Sequence, residues 1–173
     1  MGKGTLVARV RDRLPGLGLT VSATTRAPRP GEVDGVNYHF LSDEEFSRRI
    51  EAGEFVEWAQ VFDHRYGTLV SEVERNLSSG RSLILEIDVQ GALAVRERYP
   101  EAVLVFVAPP SPEELRARLE GRGTETAESL ALRLAIAERE MALRDRYDAI
   151  VVNDDLERAT EELAVILTSY ERN

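Results

Sequence analysis

No cysteine occurs among the 173 residues, and histidine is nearly as scarce, with only His39 and His64. The first absence excludes disulfide scaffolds, thiolate zinc sites, iron–sulfur ligation and cysteine nucleophiles. The second leaves no imidazole-based metal site unless carboxylates complete it, so metal chemistry is confined to oxygen donors and phosphate. No apolar run approaches the ~18 residues of a membrane helix. The N-terminus also lacks the apolar core of a signal peptide, so a cytoplasmic chain with no membrane partner is expected. Basic residues are in deficit. The net charge of −9 argues against nucleic acid as a partner.

What is present suits one domain over residues 1–173, with 43% hydrophobic content and enough length to build a core without staples. Charge is unevenly spread. Residues 1–29 hold Lys3, Arg9, Arg11, Arg13, Arg26 and Arg29 against Asp12 alone, a balance of +5 that leaves −14 for the remainder. A small anion therefore has a basic place to bind.

Leu6, Val7, Val10 and Leu14 recur at helical spacing up to Pro15-Gly16, and Leu17–Val21 is a short β-prone run. Residues 22–31 read as an extended loop, Tyr38–Leu41 as a strand, and Ser42 with Glu45 as a capping box opening a helix that ends at Gly53. Phe55–Phe62 reads as a strand with Trp58 in the core, Arg65–Thr68 as a turn, and Leu69–Ser78 as a helix. SLILEID at 82–88 predicts a buried parallel strand delivering carboxylates at its end. Then follow a helix over 89–99, a strand over 102–107, a helix capped by Ser111 with Pro112 at its first position, and a long helix over about 126–146. A strand at 149–152 and a helix over 156–170, with Leu156, Leu163, Ile166, Leu167 and Tyr170 inward, complete the chain. The alternation implies βαβ units: an α/β fold with a parallel sheet flanked by helices, and a small α+β lobe inserted over 30–80.

Five groups of residues stand out. Gly2-Lys3-Gly4-Thr5 before an apolar helix has the form of the back half of a phosphate loop, in which backbone amides and lysine hold phosphate and a hydroxyl holds magnesium. The alternative reading is a frayed tail. Ser22, Arg26, Arg29 and Tyr38 make either a bidentate phosphate clamp or a solvated loop. Glu57, within FVEWAQVF and followed by Tyr66 and Thr68, is a carboxylate in apolar company, costly unless paired, or else an edge residue facing water. Glu86 and Asp88 end an apolar strand, where open α/β sheets bind ligands. Arg122 and Arg133 flank a glycine-containing junction and are either surface charges or phosphate contacts.

Taken together, VSATTRAPRPGEVDGVNYHFLS at 21–42, FVEWAQVFDHRYGT at 55–68, LILEIDVQGA at 83–92, LEGRGTETAES at 119–129 and IVVNDD at 150–155 resemble the guanylate kinase family. The resemblance runs in order along essentially the whole chain. It implies a P-loop nucleoside-monophosphate kinase fold, with core 1–29, 81–120 and 147–173, a GMP lobe at 30–80 and a lid at 121–146. It implies magnesium-dependent phosphoryl transfer from ATP to GMP, in a monomer or homodimer. Ser22, Glu57 and Thr68 would meet the guanine, and Arg26, Arg29, Tyr38 and Tyr66 the GMP phosphate. Asp88, beside Glu86, would lie near GMP and the magnesium shell, with Thr5 as the other magnesium residue. Gly2, Lys3, Gly4 and Thr5 would hold ATP phosphates, Arg122 and Arg133 the transferring phosphate, and Asn153 would lie near adenine.

Measured against the family pattern, the first half of the phosphate loop and the central strand before it are missing. A misassigned start, with a GTG codon inside the loop read as initiator, is one expectation, and a shortened chain is the other. Residues 63–65 also depart from the family form while leaving Tyr66 in place. The rival reading is a catalytically inactive module that binds GMP or a phosphopeptide. Lys3, Thr5, Asp88 and the lid arginines disfavour it, since a pure binder has no need of them.

Overall fold

The computed structural model describes residues 2–61, 63–121 and 127–171. In chain order the elements are α1 (Lys3–Arg13), β1 (Gly18–Leu19), β2 (Ala23–Thr24), β3 (His39–Phe40), α2 (Asp43–Glu51), β4 (Phe55–Val61) and β5 (His64–Leu69). They continue with α3 (Val70–Ser78), β6 (Leu83–Ile84), α4 (Val89–Arg98), β7 (Val105–Ala108), α5 (Pro112–Glu120), α6 (Ala127–Ala142), β8 (Ala149–Val152) and α7 (Leu156–Glu171). The chain forms two compact units, residues 15–102 and residues 1–14 with 103–173.

In the 15–102 unit, β1 and β6 pair in parallel, and a mixed sheet runs in the order β3-β2-β5-β4. Both faces of that sheet are covered. Ala23, Phe46, Phe55 and Leu69 make one buried cluster, with the Phe46 and Phe55 rings stacked at 4.4 Å. Val56, Val73 and Val95 make the other, packed by Leu83, Leu85 and Ile87. Helix α2 starts where Ser42 accepts the Glu45 amide at 3.1 Å, and Glu45 also pairs with Arg49 one turn on. Arg65 ties the hairpin to this helix through Ser47 Oγ at 2.9 Å and Asp43 Oδ1 at 2.8 Å, with its guanidinium over the Phe46 ring.

In the other unit, β7 and β8 pair in parallel and α1 lies along α7. Leu6, Val7 and Val10 are buried on α1, and Ala159, Thr160 and Leu163 on α7. Arg13 bridges to Glu157 and Glu161 on the outside of that contact. Ser111 caps α5 by accepting the Glu114 amide at 3.1 Å, as its sequence predicts.

Several sequence expectations are corrected. Arg65–Thr68 is not a turn but the middle of β5, paired antiparallel with β4 from Val61↔His64 to Phe55↔Leu69. Gly67, the turn signal in that reading, serves close approach instead, since a Cβ there would lie 2.8 Å from the Glu57 carbonyl oxygen. The loop predicted over 22–31 contains β2, which pairs with both β3 and β5. The strand predicted over 82–88 shrinks to Leu83–Ile84, because Asp88 leaves it to cap α4. Helix α6 stops at Ala142, where a short 3-10 turn takes over. Trp58 is 46% exposed rather than core, and Tyr170 is 47% exposed rather than inward-facing. Among the described residues, no helix is long and apolar enough to cross a membrane.

Candidate functional site

Strand β4 should alternate, which would put Phe55 and Glu57 on one face and Val56 and Trp58 on the other. A bulge between Phe55 and Glu57 breaks that alternation. Phe55 and Trp58 then both pack against Phe46, whereas Val56 and Glu57 both turn toward the α4 side. All three of Phe55, Val56 and Glu57 are buried. The extra residue thus lets Val56 and Glu57 face the same side of the strand.

The buried Thr68 hydroxyl, directly opposite in register, donates to Glu57 Oε1 at 2.7 Å. Burial raises the Glu57 pKa; the Thr68 hydroxyl opposes the shift and the nearby Asp88 charge adds to it. The Cα of Gly91 comes so close that a Cβ there would lie 2.8 Å from Glu57 Oε2. Gly91 is in the first turn of α4, whose N-cap is Asp88, with Oδ1 accepting the Gly91 amide at 2.8 Å. Asp88 is half-buried, whereas Glu86 is exposed to solvent.

A second group gathers around Arg26. Its guanidinium lies 5.4 Å from the centre of the Tyr38 ring, which meets Tyr66 edge-on at 6.1 Å. Glu32, which the sequence reading did not single out, fills the fork: Nη1 and Nη2 donate to its two oxygens at 3.0 and 2.8 Å. The Arg29 amide donates to the same carboxylate at 2.6 Å. Glu32 holds Arg26 above its ordinary range, and the Tyr66 hydroxyl adds to this. Arg26 and the Arg29 amide in turn hold Glu32 below the usual carboxylate range. The Arg29 residue is exposed. A planar, bidentate anion is what the cluster grips, and its local signal was a glutamate three residues after Arg29. Ser22 lies next to β2, and its carbonyl accepts the His39 amide at 2.9 Å.

The remaining residues belong to the other unit. Gly2 is the N-cap of α1, at φ 87°, a backbone that favours glycine, and a Cβ on it would come within 2.7 Å of the Asn153 side-chain amide. The N-cap glycine itself has no side chain to cap with, and no acidic residue lies in the first turn. The amides of a helix's first turn and the helix dipole favour an anion. Lys3 is half-buried, and Gly4 and Thr5 are exposed. Asn153 is 6% exposed at the end of β8, its amide bonded to the Ala108 carbonyl at 2.9 Å and its carbonyl to Arg118 at 2.9 Å. Arg133 is half-buried on α6, while Arg122 lies outside the described residues.

The structure therefore brings Glu57, Thr68 and Asp88 together, and Arg26, Tyr38 and Tyr66 together, within residues 15–102. It sets Gly2, Lys3, Gly4, Thr5 and Asn153 at one helix start in the other unit. The architecture is that of the P-loop nucleoside-monophosphate kinases, α/β proteins with a small inserted lobe. The chain belongs to the guanylate kinase family, whose family model, described as "Guanylate kinase", matches residues 2–170. It is 54% identical over 166 residues to a guanylate kinase of Rubrobacter xylanophilus, covering 96% of this chain and 87% of that one. To that of Caldanaerobacter subterraneus it is 49% identical, covering 96% and 81%. The crystal structure of guanylate kinase from Anaplasma phagocytophilum superposes with a TM-score of 0.75 at 36% identity, covering 94% of this chain and 80% of that one.

Proposed function

We infer that the chain transfers the γ-phosphoryl group of ATP to GMP, giving ADP and GDP. The observation that carries the specificity is the buried Glu57 carboxylate, oriented by Thr68 and seated on Gly91. Guanine offers N1–H and its amino group side by side, and one carboxylate accepts both. Adenine offers an unprotonated N1 at that place, setting a lone pair against a buried charge, a mismatch that discriminates far more strongly than pocket size can.

The Arg26 fork, the Arg29 amide, Tyr38 and Tyr66 are assigned to the GMP phosphate. The support is chemical: the Arg26 fork and the Arg29 amide already hold a carboxylate, and a phosphate presents the same pair of acceptors. GMP would take the place of Glu32. Ser22 is assigned to the base, with Thr68 and Glu57. In the other unit, Gly2, Lys3, Gly4 and Thr5 are assigned to ATP phosphates and Asn153 to the adenine side, with Arg122 and Arg133 as lid charges. The lobe at 30–80 and the lid at 121–146 are part of this proposal.

Hydroxyl and carboxylate oxygens are the donor type that magnesium takes. Among the described residues no group of three His, Cys, Asp or Glu makes a cage, and magnesium bound with nucleotide keeps several waters and takes one or two protein oxygens besides phosphate. The Thr5 hydroxyl and the Asp88 carboxylate are the residues assigned to it. When bound, the ion would neutralise charge on the phosphate oxygens. Phosphoryl transfer asks the chain for alignment and positive charge rather than covalent chemistry.

Isothermal titration tests the base assignment. GMP is expected to bind at least about a hundredfold more tightly than AMP, and Glu57→Gln to remove most of that ratio. Equal affinities in the unsubstituted chain would overturn the reading.

A further inference from the structure

Glu72 is a buried carboxylate that none of these assignments uses. It stands in the first turn of α3 at 5% exposure, where an unpaired charge would be costly. Three donors from three segments meet it. The Val21 amide donates to Oε2 at 3.3 Å, the His39 ring lies with Nε2 at 3.1 Å from Oε1, and Arg75 reaches Oε1 from the solvent side. A carboxylate only accepts, so the His39 proton is on Nε2. The His39 amide in turn donates to the Ser22 carbonyl at 2.9 Å.

These bonds close a circuit from Glu72 through Val21, Ser22 and His39 back to Glu72. Each end of it adjoins a residue assigned to GMP. Val21 precedes Ser22, and His39 follows Tyr38. Side chains alternate along a strand, so a His39 ring fixed against α3 fixes the opposite face, on which Tyr38 and Phe40 stand 5.8 Å apart beside Arg26. The circuit lies wholly within residues 15–102 and touches none of the groups proposed for ATP.

We propose that Glu72 is a positioning residue for GMP, holding Ser22 and Tyr38 in register from behind without meeting the nucleotide. This rests on the assignment of Ser22 and Tyr38 to GMP. Misplacing binding groups by an ångström is costly even when the altered residue is remote. Arg75 is 68% exposed and contributes charge balance rather than geometry.

Steady-state kinetics with each substrate varied separately provide the test. Glu72→Ala is expected to raise KM for GMP about tenfold, with KM for ATP and kcat at saturating GMP within about twofold, because a displaced Tyr38 weakens positioning of one substrate only. Glu72→Gln is expected to recover most of the loss: its carbonyl accepts from Val21 and its amide donates to His39, whose proton moves to Nδ1. A lowered melting temperature with KM for GMP unchanged would overturn the proposal, as would equal rises in both KM values. If Glu72→Ala does not fold, His39→Ala removes one arm of the circuit, and the same selective rise in KM for GMP is required of it. Ser22→Ala and Tyr38→Phe are measured alongside. If neither affects GMP, the assignment beneath the proposal fails with it; if both do and Glu72→Ala does not, the proposal alone fails.

Discussion

At the scale of single residues, Glu57 sets function against stability. Its carboxyl has a raised pKa because burial disfavours the charge. Between the ordinary carboxylate range and that raised value the folded chain holds a proton the unfolded chain has lost, so stability falls as pH rises through this window and stays lower above it. Glu57→Gln removes the ionisation while keeping an acceptor for Thr68. The variant is expected to gain stability over the parent at neutral pH and to lose that advantage at acid pH, below the ordinary range. Urea midpoints at the two pH values check this; a difference independent of pH would contradict it. Asp88 offers a cleaner separation of roles, because asparagine caps a helix as well as aspartate does. Asp88→Asn is expected to keep stability within about 0.5 kcal/mol and Asp88→Ala to lose about 1 kcal/mol. Turnover should fall tenfold or more, by an order-of-magnitude estimate, in both variants if the charge serves phosphoryl transfer. Full turnover in Asp88→Asn would reduce Asp88 to a cap.

At the scale of elements, the bulge in β4 lets Val56 share the α4 side with Glu57. Val56 is the extra residue, so deleting it should restore the alternation with Glu57 still opposite Thr68 on the α4 side: GMP binding by titration is expected to persist, and its loss in a folded variant would sink this account of the bulge. The helices with serine caps, α2 and α5, were legible in the sequence, because a cap and its partner lie three residues apart and the chemistry is local. So was the oddity of a carboxylate in FVEWAQVF. The bulge was not legible, since register belongs to two strands rather than one. Gly67 read as a turn because glycine signals both turns and close approach, and only the Phe55 and Glu57 positions decide between them. Asp88 read as a strand end because nothing local announces that β6 has already stopped. Glu32 and Glu72 escaped notice for a shared reason: each is one glutamate among many in an acidic chain until folding places donors around it.

At the scale of the whole molecule, the described residues assigned to GMP fall in one compact unit, and most of those assigned to ATP in the other. Hydrogen exchange should follow that division. GMP alone is expected to protect amides in β2, β4, β5 and the first turn of α4, and to leave the start of α1 and the end of β8 unchanged. Protection spread evenly over both units would contradict the assignment. The most direct test of the central claim is ADP formation by the purified chain in the presence of ATP and magnesium, with GMP or AMP as acceptor. The expected result is GMP-dependent ADP release with kcat/KM for GMP at least about a hundredfold above that for AMP. GMP binding without any GMP-dependent ADP release would contradict it, and would identify a module that binds the nucleotide and performs no transfer.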